Sequence, residues 1–266
     1  MITINQTNNK YSPTFKEYKH AITNNAGVVV NRGDTCLFRQ DLEFDKLIHY
    51  LEKKYNNIAK VNIIAHACSD GEEAYSFVSK LLDMIGMEKA NKYLPFSAHD
   101  INDEHLKFAA NGKYKIKQYE YISLFKNLGS RLKNYFELIG DGLSDNLVTV
   151  KESLKQHVTF KKSNIVEDIG GMQLKNTVLF ARNVWPYLSN NDANKLAKEL
   201  SEKMDGTSTL VLGDFDKMYN IDVLLYKYDL IESDIVDNVF EKRITEPIKK
   251  PSNFTKYIKK LGRLIN

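Results

Sequence analysis

The sequence predicts an α/β protein in which a mostly parallel, doubly wound sheet carries a small antiparallel β insert. Short apolar runs typical of buried strands alternate along the chain with stretches in which apolar residues recur at helical spacing. The 266 residues are 42% hydrophobic, which is enough for one sizeable core. The alternation is interrupted once, around residues 130–160, where short strand-like segments surround a glycine turn.

Local signals mark the ends of several predicted elements. Asn102 and Ser189 precede helical stretches as N-cap residues, and Ser189 stands three residues before Asp192, as in a capping box. Gly86 and Gly112 follow helical stretches as C-terminal stops. The predicted helices are 44–51, 74–85, 103–111 and 192–204, and the predicted strands of the main sheet are 61–67, 94–98, 177–181, 209–212 and 223–226.

The predicted insert consists of three short antiparallel strands, 135–139, 147–150 and 157–160. A turn from Gly140 to Gly142 joins the first two strands. We therefore expect a small sheet that stands apart from the parallel strands of the main sheet.

The chain divides into three parts by composition. Residues 1–32 are polar and rich in asparagine, which predicts an arm, and residues 33–240 form one domain that contains the insert. Residues 241–266 hold eight Lys/Arg against two Glu, a net charge of +6. This basic extension is either a solvated, partly helical tail or a patch for an acidic partner, a membrane surface or nucleic acid.

Charge and cysteine content exclude several classes of protein. The net charge of the whole chain is only +4, so its overall electric field gives no reason to expect a nucleic-acid partner. Two cysteines, Cys36 and Cys68, make neither a disulfide framework nor a zinc site, so we expect no metal and a reducing, cytoplasmic location. The sequence has no run of eighteen apolar residues and no secretory leader, which predicts no membrane span.

The turn after the first predicted strand is the strongest functional signal. Such a turn is where doubly wound sheets bind nucleotide-like ligands, and Gly71 lies there between Asp70 and the pair Glu72 and Glu73. These carboxylates would repel a pyrophosphate but suit a ligand with an ammonium and a sulfonium, as in S-adenosyl-L-methionine. The alternative is that Glu72 and Glu73 only stabilise the first turn of the helix.

Asp100, at the end of the second predicted strand, is a second candidate. An acid at this position can accept hydrogen bonds from both hydroxyls of a ribose. A capping or loop role is the alternative.

Five blocks of sequence carry further motifs in a fixed order. They are Thr35-Cys-Leu-Phe-Arg39, Cys68-Ser-Asp-Gly-Glu-Glu-Ala-Tyr-Ser76, His99-Asp-Ile-Asn102 with Ala109, Gly112 and Tyr114 downstream, Val158-Thr-Phe-Lys-Lys-Ser-Asn-Ile165, and Arg182-Asn-Val-Trp-Pro-Tyr187. In this order they resemble motifs of CheR-type S-adenosylmethionine-dependent methyltransferases, the chemotaxis protein-glutamate O-methyltransferase family. The second block, for example, is similar to the family's Cys-Ser-Thr-Gly-Glu-Glu-x-Tyr-Ser. The resemblance implies the class I methyltransferase fold and S-adenosylmethionine as cofactor.

The resemblance also implies roles for individual residues. Arg39 and Tyr187 match the family positions that face the methyl group and the incoming carboxylate, and they are the catalytic candidates. The alternatives are that Arg39 pairs with Asp41 or Glu43 and that Tyr187 is a core aromatic residue. The residues implied to surround the cofactor are Thr35, Arg39, Gly71, Glu72, Asp100, Asn164, Ile165, Asn183 and Val184.

The implied reaction is methyl esterification of a glutamate carboxylate in a protein. Such a carboxylate has an ordinary pKa of about 4.3, so it is already an anionic nucleophile and needs alignment more than a general base. The family carries a helical domain before its first block that helps to grip the receptor, whereas about thirty polar residues precede Gly33 here, which is a reason to expect an acceptor other than a chemoreceptor. The expected partner is therefore a protein, either a chemoreceptor or another signalling protein. Two alternatives are a protein or small-molecule N-methyltransferase, since Asn183-Val-Trp-Pro-Tyr187 distantly resembles an Asn-Pro-Pro-Tyr loop, and a non-catalytic S-adenosylmethionine-binding signalling module.

Overall fold

A seven-stranded sheet lies at the centre of the computed structural model, which describes residues 35–140, 142 and 146–243. A separate three-stranded sheet stands beside it. The strands of this part of the chain are β1 (Asn62–His66), β2 (Phe96–Asp100), β3 (Lys113–Ile116), β4 (Phe136–Ile139), β5 (Asn146–Val150), β6 (Val158–Lys162), β7 (Thr177–Phe180), β8 (Thr209–Val211), β9 (Leu230–Glu232) and β10 (Val239–Lys242). The helices are α1 (Phe44–Lys54), α2 (Glu72–Ala90), α3 (Asp103–Asn111), α4 (Gln118–Leu128), α5 (Leu132–Tyr135), α6 (Glu152–Lys155), α7 (Ile165–Asp168), α8 (Asn190–Lys203), α9 (Asp214–Lys217) and α10 (Ile221–Lys227).

The main sheet has the strand order β6-β2-β1-β7-β8-β10-β9. Its first five strands are parallel, and β10 runs antiparallel to both β8 and β9. The chain moves outward from β1 through β2 to β6 and then returns to add β7 on the other side of β1. Because the order reverses there, the carboxyl ends of β1 and β7 flank the crevice in which such sheets bind ligands. The predicted doubly wound fold is confirmed.

Both faces of the main sheet are covered by helices, as a parallel sheet requires. Alternate residues of β1, such as Ile63 and Ala65, belong to a core cluster with Leu47 of α1 and Phe77 of α2. A second core cluster on the opposite face combines residues of β7 and β8 with apolar residues of α7, α8 and α10. The two clusters pack against the two faces of the sheet.

The caps predicted for α3 and α8 are present in the structure, whereas α2 continues beyond the predicted stop at Gly86. The side-chain oxygen of Asn102 accepts a hydrogen bond from the backbone N–H of Glu104 at 2.9 Å, and Gly112 ends α3 with φ 61°. The Ser189 hydroxyl caps α8 by accepting from the N–H of Asp192 at 3.1 Å. Gly86, with φ 72°, interrupts the helical geometry of α2 four residues before its end.

The insert differs from its prediction in one strand. Its sheet has the order β3-β5-β4 and is antiparallel, so β3 is its third strand. The strand predicted over 157–160 is present, but its assignment to the insert is wrong. That segment is β6, which pairs in parallel with β2 in the main sheet because the short helix α6 leads the chain back to it. The backbone N–H of Val150 donates to the carbonyl of Gly112 at 2.8 Å, so the two ends of the insert meet.

A second prediction is wrong at residues 223–226, where the structure has the helix α10 instead of a strand. A short apolar run does not by itself distinguish the two structures. Ile221 and Leu225 are buried four residues apart, whereas Val223 and Tyr226 are exposed, which is the helical period.

Two segments predicted at the ends of the chain lie wholly or partly outside the described residues. They are the N-terminal arm and the basic extension beyond Arg243. In the portion that the structure covers, no helix combines the length and the apolar character needed to cross a membrane.

Candidate functional site

The candidate site lies at the carboxyl edge of the main sheet. The expected cofactor residues stand where four neighbouring strands end, namely β1, β2, β6 and β7. Strand register sets them side by side, because Asp100 is the partner of Lys162 at the end of β6 and His66 is the partner of His99. The sheet therefore brings together Gly71, Glu72, Asp100, Asn164, Ile165, Asn183 and Val184.

Gly71 allows the turn between β1 and α2 to pack tightly. Its φ is +86°, in the left-handed region, and a Cβ atom at this position would lie 2.7 Å from the Cβ of Ala109. The turn is anchored from two sides, since the N–H of Ser69 donates to Asp100 and the hydroxyl of Tyr114 donates to the carbonyl of Asp70. Only glycine fits this position without displacing α3.

Glu72 places a buried carboxyl at the start of α2. Only 8% of the residue is exposed, and its Oε2 atom has no hydrogen-bond partner in the described structure. Burial raises the pKa of this carboxyl to about 8, and the hydrogen bond from the Thr35 side chain opposes that rise. A buried carboxyl with an unused acceptor fits a ligand ammonium, which would return it to the ionised form.

The other two carboxylates of this turn have partners. Glu73 pairs with Arg182, and Asp70 lies 2.6 Å from Nδ1 of His105. Of the three acids expected to face the ligand, Glu72 is therefore the one that remains a candidate for contact with the ammonium.

Asp100 joins the loop after β1 to the loop after β2, and its carboxylate can accept further hydrogen bonds from a ligand. Its Oδ2 accepts from the N–H of Ser69 and its Oδ1 from the N–H of Asn102, both at 2.9 Å. Burial raises its pKa, and these backbone hydrogen bonds act in the opposite direction. Each oxygen of a carboxylate can accept two hydrogen bonds, so the arrangement fits the two hydroxyls of a ribose.

At the end of β6, the side chains of Asn164 and Ile165 are buried. The amide oxygen of Asn164 caps α7 by accepting from the N–H of Val166 at 3.1 Å, and Ile165 packs in the second core cluster. A ligand at this turn would therefore contact chiefly the backbone.

The loop after β7 is held by Asp216, a residue that the sequence reasoning missed. Asn183 has φ 56°, and its N–H donates to Oδ2 of Asp216 at 2.7 Å, while the N–H of Trp185 donates to Oδ1 at 3.3 Å. Burial raises the pKa of Asp216 to about 7. Its position three residues after Gly213, at the start of α9, is the spacing of a capping acid and is the signal that could have identified it.

Arg182 and Asp41 form a second arrangement that the sequence reasoning missed. The buried guanidinium of Arg182 pairs with Glu73 and lies 2.7 Å from Oδ1 of Asp41, and its Nε donates to the carbonyl of Leu212 at 3.1 Å. It thereby joins the segment before α1, the start of α2 and the end of β7.

Arg39 extends from this arrangement towards solvent. Its Nε lies 3.2 Å from Oδ1 of Asp41, and 34% of the side chain is exposed. Arg39 therefore forms the ion pair with Asp41 that was the alternative to a catalytic role. The segment 36–40 and α4 enclose a cavity of about 390 Å³, which Arg39 lines together with Tyr119 and Ser123.

Tyr187 ends the short helical turn Trp185–Tyr187 that follows β7. Its N–H donates to the carbonyl of Val184 at 3.1 Å, and its partly buried ring packs against the second core cluster. Tyr187 is therefore in part a core aromatic residue, which was the alternative to its catalytic role.

The fold is a doubly wound sheet whose crevice suits a nucleoside-type cofactor, and the buried carboxyl of Glu72 suits a cation of that cofactor. Residues 33–230 match the family described as "CheR methyltransferase, SAM binding domain". The chain belongs to this family, and its domain is of the S-adenosylmethionine-binding kind.

Curated relatives agree with this assignment. A chemotaxis protein methyltransferase of Borreliella burgdorferi is 28% identical over 190 residues, which are 69% of this chain and 64% of the relative. A chemotaxis protein methyltransferase of Salmonella typhimurium is 24% identical over 213 residues, 80% of this chain and 67% of the relative. The chain thus spans about two thirds of the length of these relatives.

Solved structures with a similar arrangement include a magnesium protoporphyrin IX methyltransferase from Synechocystis PCC 6803 with bound S-adenosylmethionine. It is 11% identical, with a TM-score of 0.38 over 76% of this chain and 77% of the other. An S-adenosylmethionine-dependent methyltransferase from Clostridium acetobutylicum is 16% identical, with a TM-score of 0.34 over 66% and 52% of the two chains.

Proposed function

We propose that this chain methylates a glutamate carboxylate of a protein and so forms a carboxyl methyl ester. The observation that carries the proposal is the match of residues 33–230 to the CheR methyltransferase family. The names of the curated relatives support it, since they are chemotaxis protein methyltransferases. The acceptor that fits is a chemoreceptor or another signalling protein.

The residues around the crevice would hold S-adenosylmethionine by their separate chemistries. The buried carboxyl of Glu72 suits the ammonium, Asp100 suits the ribose, and the backbone of the 164–165 and 183–184 turns suits the adenine. Bound there, S-adenosylmethionine supplies a methyl group attached to a sulfonium. Asp216 and Arg182 keep the surrounding turns in place through the hydrogen bonds and ion pairs described above.

Arg39 would orient the incoming carboxylate. A guanidinium has five N–H donors arranged as a fork, so the contact of Arg39 with Asp41 is compatible with binding a second carboxylate. Asp41 is itself fixed by Arg182, which limits the positions that Arg39 can take. Since a glutamate side chain is ionised at neutral pH, these residues need only align it with the methyl group.

The insert offers a place for a protein acceptor to dock. In the order β3-β5-β4, the strands β3 and β4 are the edges of the small sheet, and an extended peptide can add a strand to such an edge. The small sheet therefore supports a protein as the acceptor, because a small molecule would have no use for such an edge.

The chemistry of the labelled product tests the proposal. The protein is incubated with a cell extract and S-adenosylmethionine that carries a radiolabelled methyl group, and labelled protein is isolated and treated with mild alkali. A carboxyl ester releases volatile labelled methanol, whereas an N-methyl group stays attached. Arg39→Ala and Tyr187→Phe should each lower turnover more than cofactor affinity.

Two outcomes would contradict the proposal. Alkali-stable protein label would favour the N-methyltransferase alternative. Confirmed binding of S-adenosylhomocysteine without any labelled protein would favour a non-catalytic module or a small-molecule acceptor.

A further inference from the structure

An apolar groove lies at the far edge of the main sheet, beside α10 and the edge strand β9. It is separated from β7 by β8 and β10, so it is distinct from the candidate site. The groove encloses about 310 Å³, and its lining residues are Asp222, Val223, Tyr226, Leu230, Glu232 and Phe240. Val223 is 63% exposed and Tyr226 is 62% exposed, and apolar side chains exposed together beside a groove indicate a binding surface.

The surroundings of this groove are acidic. Residues 214–237 contain seven Asp/Glu and two Lys/Arg. Two of the acids have cationic partners, because Glu232 lies 2.5 Å from Nζ of Lys217 and Asp229 lies 3.6 Å from Arg243. Even so, the segment carries a net charge of −5, which favours an occupant that is apolar on one side and basic on the other.

Such an occupant is present in the same chain. Residues 244–266 contain six Lys/Arg and one Glu, a net charge of +5 that equals the deficit around the groove. Within them, six apolar side chains recur at intervals of three and four, which is the spacing of one helix face. They are Phe254, Tyr257, Ile258, Leu261, Leu264 and Ile265.

The exit point of the chain also favours this occupant. The backbone N–H of Arg243 donates to the carbonyl of Asp229 at 2.8 Å, and its guanidinium lies 4.9 Å from the ring centre of Tyr226. The chain therefore leaves the described part directly beside the groove. The linker 244–253 spans at most about 33 Å when extended, which is ample for a return to a surface that it already touches.

We propose that residues 254–265 bind this groove as an amphipathic helix, with the apolar face on Val223 and Tyr226 and the basic face towards the acidic surroundings. Docking would bury apolar side chains from both partners beside β9, the edge strand of the main sheet. A membrane surface and a second copy of the chain are the competing occupants.

Limited trypsin digestion of the full chain tests the proposal, because the segment 254–265 contains four cleavage sites, after Lys256, Lys259, Lys260 and Arg263. Intact mass spectrometry follows loss of the tail in the unaltered protein and in Val223→Gln, which leaves the tail sequence unchanged and keeps a good helix former in α10. Cleavage of the tail should be about tenfold faster in Val223→Gln, since proteolysis follows the population of the open state. High salt should accelerate cleavage in the unaltered protein, because it screens the charge attraction.

The matched control is Met218→Gln, which replaces an exposed apolar residue outside the groove lining and should digest like the unaltered protein. The reciprocal variant, Ile258→Gln with Leu261→Gln, should speed hydrogen exchange in α10 and β9, whereas Thr255→Gln should not. Equal cleavage rates in Val223→Gln and the unaltered protein would overturn the proposal. So would protection of the tail that rises with protein concentration, which indicates exchange between copies, or protection that requires anionic lipid vesicles.

Discussion

Glu72 is the residue whose chemistry is most changed by the fold. Burial raises the pKa of its carboxyl to about 8 from an ordinary value of 4.5, so the carboxyl is largely protonated at neutral pH in the free protein. Binding of an ammonium would ionise it, because a nearby cation stabilises the charged form. Ligand binding at neutral pH should therefore release a proton.

This linkage predicts that S-adenosylhomocysteine binds more tightly as the pH rises towards 8. Calorimetric titration in buffers of different ionisation enthalpy measures both the affinity and the proton released. Glu72→Gln should bind more weakly and lose the pH dependence, and its unfolding curve serves as the control for folding. A Glu72→Gln variant with the original pH profile would show that another group binds the ammonium.

Asp100 combines a structural and a ligand role, and substitution can separate them. Asp100→Ala removes the acceptor for the ribose and the anchor for Ser69, and we expect a loss of about 1.5–3 kcal/mol in S-adenosylhomocysteine affinity by calorimetry. Asp100→Asn keeps one acceptor oxygen and should lose less. If affinity is unchanged while urea denaturation shows a loss of stability, Asp100 is only a loop anchor.

At the scale of the elements, Arg182 is the cation that joins three segments. Arg182→Met removes the cation that pairs with two largely buried carboxylates, so Glu73 loses this pair and Asp41 keeps the more exposed Arg39. We expect a loss of about 3–5 kcal/mol in the free energy of unfolding, measured by urea denaturation. Arg39→Met is the matched control, since its pair with Asp41 is more exposed and should contribute at most about 1 kcal/mol. A loss in Arg182→Met as small as that expected for Arg39→Met would mean that the three segments do not depend on Arg182.

The elements also show what the sequence could predict. The bounds of α3 follow from Asn102 and Gly112, because caps are interactions between neighbouring residues. The error at α10 arose because four apolar residues fit either period, and the error at β6 arose because strand pairing depends on distant partners.

The same distinction applies to the candidate site. Gly71 and Asp100 could be placed from the turn sequences and the rule that ligands bind at carboxyl ends of strands. The pairing of Arg182 with Asp41 joins residues 141 positions apart, and the contact of Asp216 with Asn183 joins residues 33 positions apart. No local pattern specifies such contacts.

At the scale of the whole molecule, buried histidine makes stability depend on pH. His66 lies inside the sheet with its ring 4.9 Å from that of His99, and neither ring nitrogen of His66 has a hydrogen-bond partner in the described structure. Burial, the neighbouring His99 and Lys161 lower the pKa of His66 to about 3 from 6.5. The folded state therefore keeps His66 neutral at a pH where the unfolded chain binds a proton, and stability is lost as the pH falls below about 6.5.

We expect the stability of the unaltered protein relative to His66→Leu to fall by about 1.5–2 kcal/mol between pH 6.5 and pH 5. Urea denaturation at both values measures this difference. The comparison with the variant is needed because the pKa values of Glu72 and Asp216 are raised. These two groups bind protons more readily in the folded state, so they increase the stability as the pH falls, whereas His66 decreases it. Parallel stability curves for the two proteins would rule out this contribution of His66.

The insert leaves the domain and rejoins it at one point, where Val150 donates to Gly112. Because its ends are already joined, a change in its length alters the loop-closure entropy only slightly and leaves the crossover from α3 to β6 in place. The rest of the insert can therefore be exchanged without rebuilding the cofactor turn, provided that two parts are retained. They are Tyr114, which donates to Asp70, and α4, whose Ser123 donates to the carbonyl of Phe38 beside Arg39. If the insert docks the protein acceptor as proposed, the choice of acceptor and the chemistry of methyl transfer can diverge separately in this architecture. Grafting the edge strands of an insert from one family member onto another would then transfer the acceptor specificity.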